Sequence, residues 1–210
     1  MWSWLAIGLS SLLFIFAAEK GDKTRSVIFS AVTHGLLLVL LLNTDGINEY
    51  QWWLALGLGI FLISDLGQQQ ARFNKVSFIG YIVAQVVYSV GFWGQVQSQF
   101  VLWLPALLLC IAIVTFFLLL PRLDSFLLPV AVMGVSLINV MCAAGEVWLF
   151  HLDWRTLQAF LGSLCLSASA MMWGLDKYHF RSGRARYGIS GSYYLSHALI
   201  VSSAIVPGVL

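Results

Sequence analysis

Phe61-Leu62-Ile63-Ser64-Asp65 sets one carboxylate at the foot of an apolar run. After a short polar turn the chain re-enters apolar sequence as Tyr81-Ile82-Val83-Ala84-Gln85-Val86-Val87-Tyr88. Neither run alternates apolar and polar residues at period two. Each belongs to a continuous apolar segment close to the roughly 20 residues that a helix needs to cross hydrocarbon. A strand of a transmembrane barrel would be about ten residues long and alternating. The reading is therefore all-α, with a carboxylate, a carboxamide and a phenol on two adjacent membrane-length segments.

The rest of the chain agrees. Hydrophobic residues make up 60% of the 210 and charged residues only 10%, against about 25% charged in soluble domains. Working outward from the hairpin, spans fall at about 2–18, 26–43, 52–70, 76–94, 100–120, 126–149, 156–175 and 187–208. This predicts a polytopic protein of eight transmembrane helices in one bundle, a single domain over residues 1–210. The first segment has no Lys or Arg ahead of it, so it reads as a mature span and not as a secretory signal. Pro129 falls in the first turn of its helix, where it is tolerated.

Orientation follows from the basic residues, which favour the cytoplasmic side. Lys20, Lys23 and Arg25 lie in the first loop, Arg72 and Lys75 in the third, Arg122 in the fifth, and Lys177, Arg181, Arg184 and Arg186 in the seventh. Only Arg155 lies in an even loop. Both termini are then expected on the non-cytoplasmic face, most simply of a bacterial inner membrane. A net charge of +2 does not suggest a nucleic-acid partner. A 4 + 4 parallel pseudo-repeat is indicated by Tyr81-x-x-x-Gln85 against Tyr193-x-x-x-His197 and by Ser64-Asp65 against Ser169-Ala170.

Ionisable groups inside hydrocarbon cost at least about 2.5 kcal/mol each at a span centre, so each needs a reason. The candidates are His34, Asp65, Glu146 and His197. Two readings fit Asp65: a general acid partly withdrawn from water, or a helix-end carboxylate paired with Arg72 or Lys75. His197 fits a proton relay or a simple interhelical hydrogen bond. His34 fits the second of these better, since its one polar neighbour on the same face is Ser30, four residues earlier. Glu146 fits a functional carboxylate or a side chain looking into outer-leaflet water beside Trp148. The basic run at 177–186 fits a headgroup-phosphate site or an ordinary cytoplasmic loop.

Cys110, Cys142 and Cys165 lie inside apolar runs without metal-ligand spacing and read as small core residues. Gly57, Gly59, Gly162 and Gly174 read as close helix contacts. No nucleophile elbow, H-E-x-x-H or phosphate-cradling glycine loop is present, and no cofactor is expected.

The sequence resembles the YhhN-like family of transmembrane lysoplasmalogenases over nearly its whole length. The likeness is carried by Leu62-Ile63-Ser64-Asp65, the Tyr88 pattern after it, Ala144-Gly145-Glu146-Val147-Trp148, Leu161-Gly162, and Tyr193-Tyr194-Leu195 with His197 and Ile200. The resemblance implies hydrolysis of the vinyl ether bond of lysoplasmalogens or related lysophospholipids, with Asp65 at the first of two family Asp positions. It departs from the family where Ser30-Ala31 replaces a Lys-Pro pair, Gln85 replaces a His, and Ala170 stands at the second Asp; Asp176 is not in register to replace it. The expectation is a catalytic Asp65 completed by Glu146 or His197, with Gln85, Tyr88 and Tyr194 lining the substrate. The alternative is a non-catalytic relative that binds lipid or transports a small amphiphile or protons. Oligomeric state is left open.

Overall fold

The computed structural model describes residues 2–43, 46–68, 73–96, 101–119, 127–178 and 185–205. Eight α-helices account for most of them: α1 Trp2–Glu19, α2 Lys23–Leu42, α3 Glu49–Gln68, α4 Asn74–Trp93, α5 Trp103–Leu119, α6 Leu127–His151, α7 Trp154–Tyr178 and α8 Ala185–Ala204. Five of these, α1, α2, α4, α6 and α7, are long and apolar enough to cross a membrane. All eight expected helices are thus present, five of them qualifying as spans by length and composition. In α5 the qualifying apolar stretch is short. α3 and α8 are diluted by polar residues, including Asp65 in the one and His197 in the other.

The helices form two compact units, one holding residues up to Gly91 together with the chain from Ala204, the other Phe92–Ser203. In the first unit, local chemistry sets the starts of α2 and α3. Gly21 takes a left-handed turn at φ +71°, which costs glycine nothing. Asp22 then caps α2 by accepting the Arg25 main-chain N–H at 3.1 Å. Ahead of α3, Asn48 and Gln51 form a reciprocal box, each side-chain oxygen accepting the other's main-chain N–H at 2.9 Å. This satisfies two donors that a helix start leaves open. Gln51 Nε2 also donates to the Ala204 carbonyl at 2.9 Å, joining the end of α8 to this unit.

Packing in the first unit relies on small residues. A Cβ at Gly57 would overlap the Tyr88 ring, one at Gly80 would overlap the Ser64 side chain, and one at Gly91 would lie 2.9 Å from Trp53 Cβ. Helices α3 and α4 therefore approach closely over much of their length. Gly59, expected to be a helix contact, faces open space. Around the seam Leu54, Leu58, Phe61, Ala84 and Tyr88 are fully buried, while α2 contributes Leu37 and Leu41. By contrast Leu5, Leu9, Leu12 and Phe16 of α1 stand exposed, an apolar face suited to lipid.

In the second unit Leu104, Leu108 and Cys142 form a buried cluster flanked by Trp93, Ile138, Met141, Leu149 and Phe160. Trp148 stacks on Phe160 at 5.4 Å between centroids. α7 and α8 pack through Gly162, where a Cβ would sit 2.9 Å from the Ser196 carbonyl. Ser169 Oγ donates to the Ile189 carbonyl at 2.8 Å. Asp153 caps α7, accepting the Thr156 N–H at 2.7 Å. That bond, more than any other contact, holds its carboxyl below the ordinary aspartate range; slight burial opposes it, and the Thr156 hydroxyl and His151 reinforce it. The cysteines divide: Cys142 is core and Cys165 half-buried, but Cys110 is exposed on α5, contrary to its reading as a core residue.

Candidate functional site

Asp65 lies one turn from the end of α3, where the apolar run gives way to Gly67 and Gln68. Its side chain is 12% exposed, so the carboxyl is largely removed from water and needs partners from the protein. Three helices supply them. From α4, the Tyr81 hydroxyl lies 2.7 Å from Oδ1 and donates to it. From α2, the Ser30 hydroxyl donates to Oδ2 at 3.0 Å. His34, one turn along α2, places Nε2 3.8 Å from the same oxygen.

The Tyr81 hydroxyl is also 2.7 Å from the Gln68 side-chain oxygen position. A phenol has one proton to give. With that proton on Asp65, the Gln68 amide must turn its NH₂ toward Tyr81, an orientation that amide geometry permits equally well. The result is a short chain from Gln68 through Tyr81 to Asp65, open at the exposed Gln68 end and buried at the His34 end. Such a chain holds the carboxyl in one rotamer.

Of the pairings considered for Asp65, Arg72 lies outside the described residues, as does most of the basic run at 177–186. Lys75 is exposed at the start of α4. Gln85 is buried one turn beyond Tyr81, on the helix that meets Asp65. Tyr88, a further turn along, has its ring fully buried between Gly57 and Phe61, 5.3 Å from the Phe61 centroid, so its described surroundings are those of a packing residue.

The remaining candidates belong to the second unit. Glu146 is buried and does not look into water: its two oxygens accept the Val101 main-chain N–H at 3.1 and 3.3 Å. This ties the entry of α5 to α6. His197 is fully buried on α8 with its ring edge-on to Tyr193 at 4.6 Å, and Tyr194 is 3% exposed beside Tyr193. Among the described residues no three His, Cys, Asp or Glu side chains gather as a metal site would require.

Sequence reasoning undervalued three members of the Asp65 cluster. Ser30 stood out as a departure from a family pattern and as the one polar neighbour of His34, Tyr81 as part of a repeat, and His34 as a histidine bonding across helices. The available signal was spacing: Ser30 and His34 share a face of α2 at i, i+4, and Tyr81 precedes Gln85 by the same interval.

Apolar helices of membrane-crossing length, with a hydrogen-bonded carboxylate where three helices meet, define a helical membrane protein with an internal polar site. The chain belongs to the YhhN family, whose sequence model matches residues 25–204. It is 28% identical over 206 residues to the proteins described as "Uncharacterized membrane protein YhhN" in Escherichia coli O157:H7 and in Shigella flexneri. These matches cover 97% of this chain and 98% of each relative. No solved structure matches it.

Proposed function

We propose that this YhhN-family protein is a membrane hydrolase that cleaves the vinyl ether bond of lysoplasmalogens or closely related lysophospholipids, with Asp65 as the acid. The observation that carries the proposal is the Asp65 carboxyl, largely buried and held between the hydroxyls of Ser30 and Tyr81. Vinyl ether hydrolysis asks for one thing above all, a proton delivered to carbon. A carboxyl kept in a single rotamer out of bulk water suits that task.

In this reading Asp65, in its carboxylic form, protonates the vinyl carbon β to the ether oxygen. A C–H bond forms, the C=C π bond is consumed, and positive charge spreads over the adjoining carbon and the ether oxygen. The carboxylate so created lies next to the cation and stabilises it. Water adds to the cationic carbon and returns a proton to Asp65, which completes the acid–base cycle. The hemiacetal then collapses, its hydroxyl proton passing to the departing glycerol oxygen, to give a fatty aldehyde and a glycerophospho-headgroup.

The setting belongs to the same proposal. All eight helices cross a bacterial inner membrane with the basic loops inside and both termini outside, and the two four-helix sets are a parallel pseudo-repeat. The α3–α4 turn then lies on the cytoplasmic side, which places Asp65 near the headgroup level where a lysolipid carries its vinyl ether.

The experiment is aldehyde release from 1-alkenyl-lysophosphatidylethanolamine by the purified protein in detergent, followed with an NADH-coupled aldehyde reductase. Wild type is expected to turn over and Asp65→Asn to lose at least about 100-fold in rate while keeping its thermal unfolding midpoint. Full activity in a folded Asp65→Asn protein would remove Asp65 from the reaction.

A further inference from the structure

Buried serines in these helices mostly satisfy their hydroxyls on their own helix. Ser64 and Ser89, in the seam between α3 and α4, donate to the carbonyls of Ile60 and Gln85 at 2.8 and 3.0 Å. Ser136, Ser163 and Ser196 do the same on α6, α7 and α8. Ser77 differs. It is 2% exposed in the first turn of α4, and no group among the described residues pairs with its hydroxyl. A buried hydroxyl without a partner is more costly than a paired one or none at all, so its presence needs a reason.

Packing does not supply one. Ser77 Oγ points at Gly67 on α3, where a Cβ would stand 2.5 Å from it. A seam that asked only for a small residue would be served as well by alanine, without a hydroxyl to bury. The position of Ser77 is more telling. It stands four residues before Tyr81 on one face of α4, and Tyr81 is bonded to Asp65. Gly67 lies two residues beyond Asp65 and next to Gln68, whose amide also meets the Tyr81 hydroxyl.

We propose that Ser77 is a substrate-binding residue, its hydroxyl pairing with the free glycerol hydroxyl of the bound lysolipid. The proposal rests on the reading of the Asp65 site as one for vinyl ether lysolipids. With the α3–α4 turn on the headgroup side, Ser77 lies about 6 Å nearer the headgroup than Tyr81, four residues at the helical rise. Along the lipid in the same direction, the vinyl carbon that takes the proton is followed by its neighbour, the ether oxygen, one glycerol carbon and the carbon bearing the hydroxyl. From that vinyl carbon to the hydroxyl oxygen is a path of five bonds, about 6 Å when extended. A lipid with its vinyl carbon at Asp65 therefore brings its hydroxyl to the level of Ser77. Each hydroxyl can both give and accept, so the two satisfy one another. The serine meets its partner by rotating about its one side-chain bond, away from Gly67, with no change in the backbone.

The test uses the full chain in detergent, as wild type and as Ser77→Ala, with two pairs of lipids. One pair is 1-alkenyl-lysophosphatidylethanolamine and its 2-deoxy analogue, which carries hydrogen in place of the glycerol hydroxyl; aldehyde release gives kcat/KM for each. The other is the matching pair of saturated 1-alkyl ethers, which are not cleaved and report Kd by competition against a radiolabelled 1-alkyl lipid. Wild type is expected to favour the hydroxylated member of each pair by about tenfold, and Ser77→Ala to treat the two members alike. Ser77→Ala is also expected to unfold at or above the wild-type temperature, because it removes an unpaired buried hydroxyl. A purely structural serine would give a lower midpoint and an undiminished preference.

A folded Ser77→Ala protein that keeps the preference overturns the inference, and leaves the reading of Asp65 intact when wild type still releases aldehyde. A Ser77→Ala protein that fails to fold overturns it too, since the hydroxyl would then be serving the fold. Absence of any hydroxyl preference in wild type has the same consequence. No aldehyde from wild type, with a preference in Kd that Ser77→Ala abolishes, overturns the vinyl ether reading and leaves Ser77 as the lipid contact.

Discussion

The Tyr81 hydroxyl and the Asp65 carboxylate, sixteen residues apart in the chain, meet in a 2.7 Å hydrogen bond across the α3–α4 turn. The bond forms because Gly57, Gly80 and Gly91 let the two helices approach closely, which brings the first turns of α4 beside the last turns of α3.

Tyr81→Phe removes that donor and leaves the ring, with its 6.0 Å approach to Phe61, in place. Hydrogen bonds to charged groups contribute about 1.5–3 kcal/mol, so in the proposed reaction turnover of a vinyl ether lysolipid should fall roughly tenfold or more, and folded-state stability should fall by up to about the same energy. Unchanged turnover would mean that Ser30 alone suffices to hold the carboxyl.

Gly162→Ala should be markedly more harmful than Gly59→Ala. A Cβ at Gly162 meets main-chain atoms of α8, the Ser196 carbonyl at 2.9 Å and the Ile200 nitrogen at 3.1 Å, whereas one at Gly59 meets nothing within 4 Å. Overpacking of this kind costs about 1–3 kcal/mol, while alanine in place of an uncrowded helical glycine gains up to about 1 kcal/mol. Thermal unfolding in detergent should place the two variants on opposite sides of wild type.

Glu146→Ala strips the Val101 N–H of its acceptor, whereas Glu146→Gln keeps an oxygen within reach. The first should destabilise by about 1–3 kcal/mol and the second by less. Hydrogen exchange at the Val101 amide is the direct readout, accelerated strongly in Glu146→Ala and weakly in Glu146→Gln. Equal exchange in all three proteins would show that Glu146 does not anchor the start of α5.

Asp153 gives the α6–α7 turn a pH dependence of known sign. Its folded-state pKa is lowered, chiefly by the Thr156 N–H, so its stabilising contribution is complete above the ordinary aspartate pKa of about 3.9. It is lost as pH falls through the folded value. Asp153→Ala should cost at most about 1 kcal/mol, less given its exposure to solvent, and should flatten the acid side of a stability-against-pH curve. A variant curve parallel to wild type at low pH would contradict this.

Much of the architecture was legible in sequence because hydrocarbon imposes a one-dimensional rule: a crossing helix must be apolar for its full length. The eight helices fall close to the expected spans, and Asp65 stood out because a carboxylate in such a segment needs a reason. What that rule does not encode is which faces meet. Glu146, one expectation for which was a side chain looking into outer-leaflet water, is instead buried on the Val101 N–H, a contact 45 residues away. Gly59 looked like a contact glycine and is not one, since only the rotation of α3 about its axis decides which of two glycines points at α4.

The sequence by itself determined an all-helical membrane protein of the YhhN family type with one conspicuous carboxylate near the end of α3. Only the tertiary structure decided who surrounds it. Ser30 and His34 come from α2 and Tyr81 from α4, because a hydrogen bond depends on helix rotation and depth to within a fraction of an ångström, and apolar patterning specifies neither so finely.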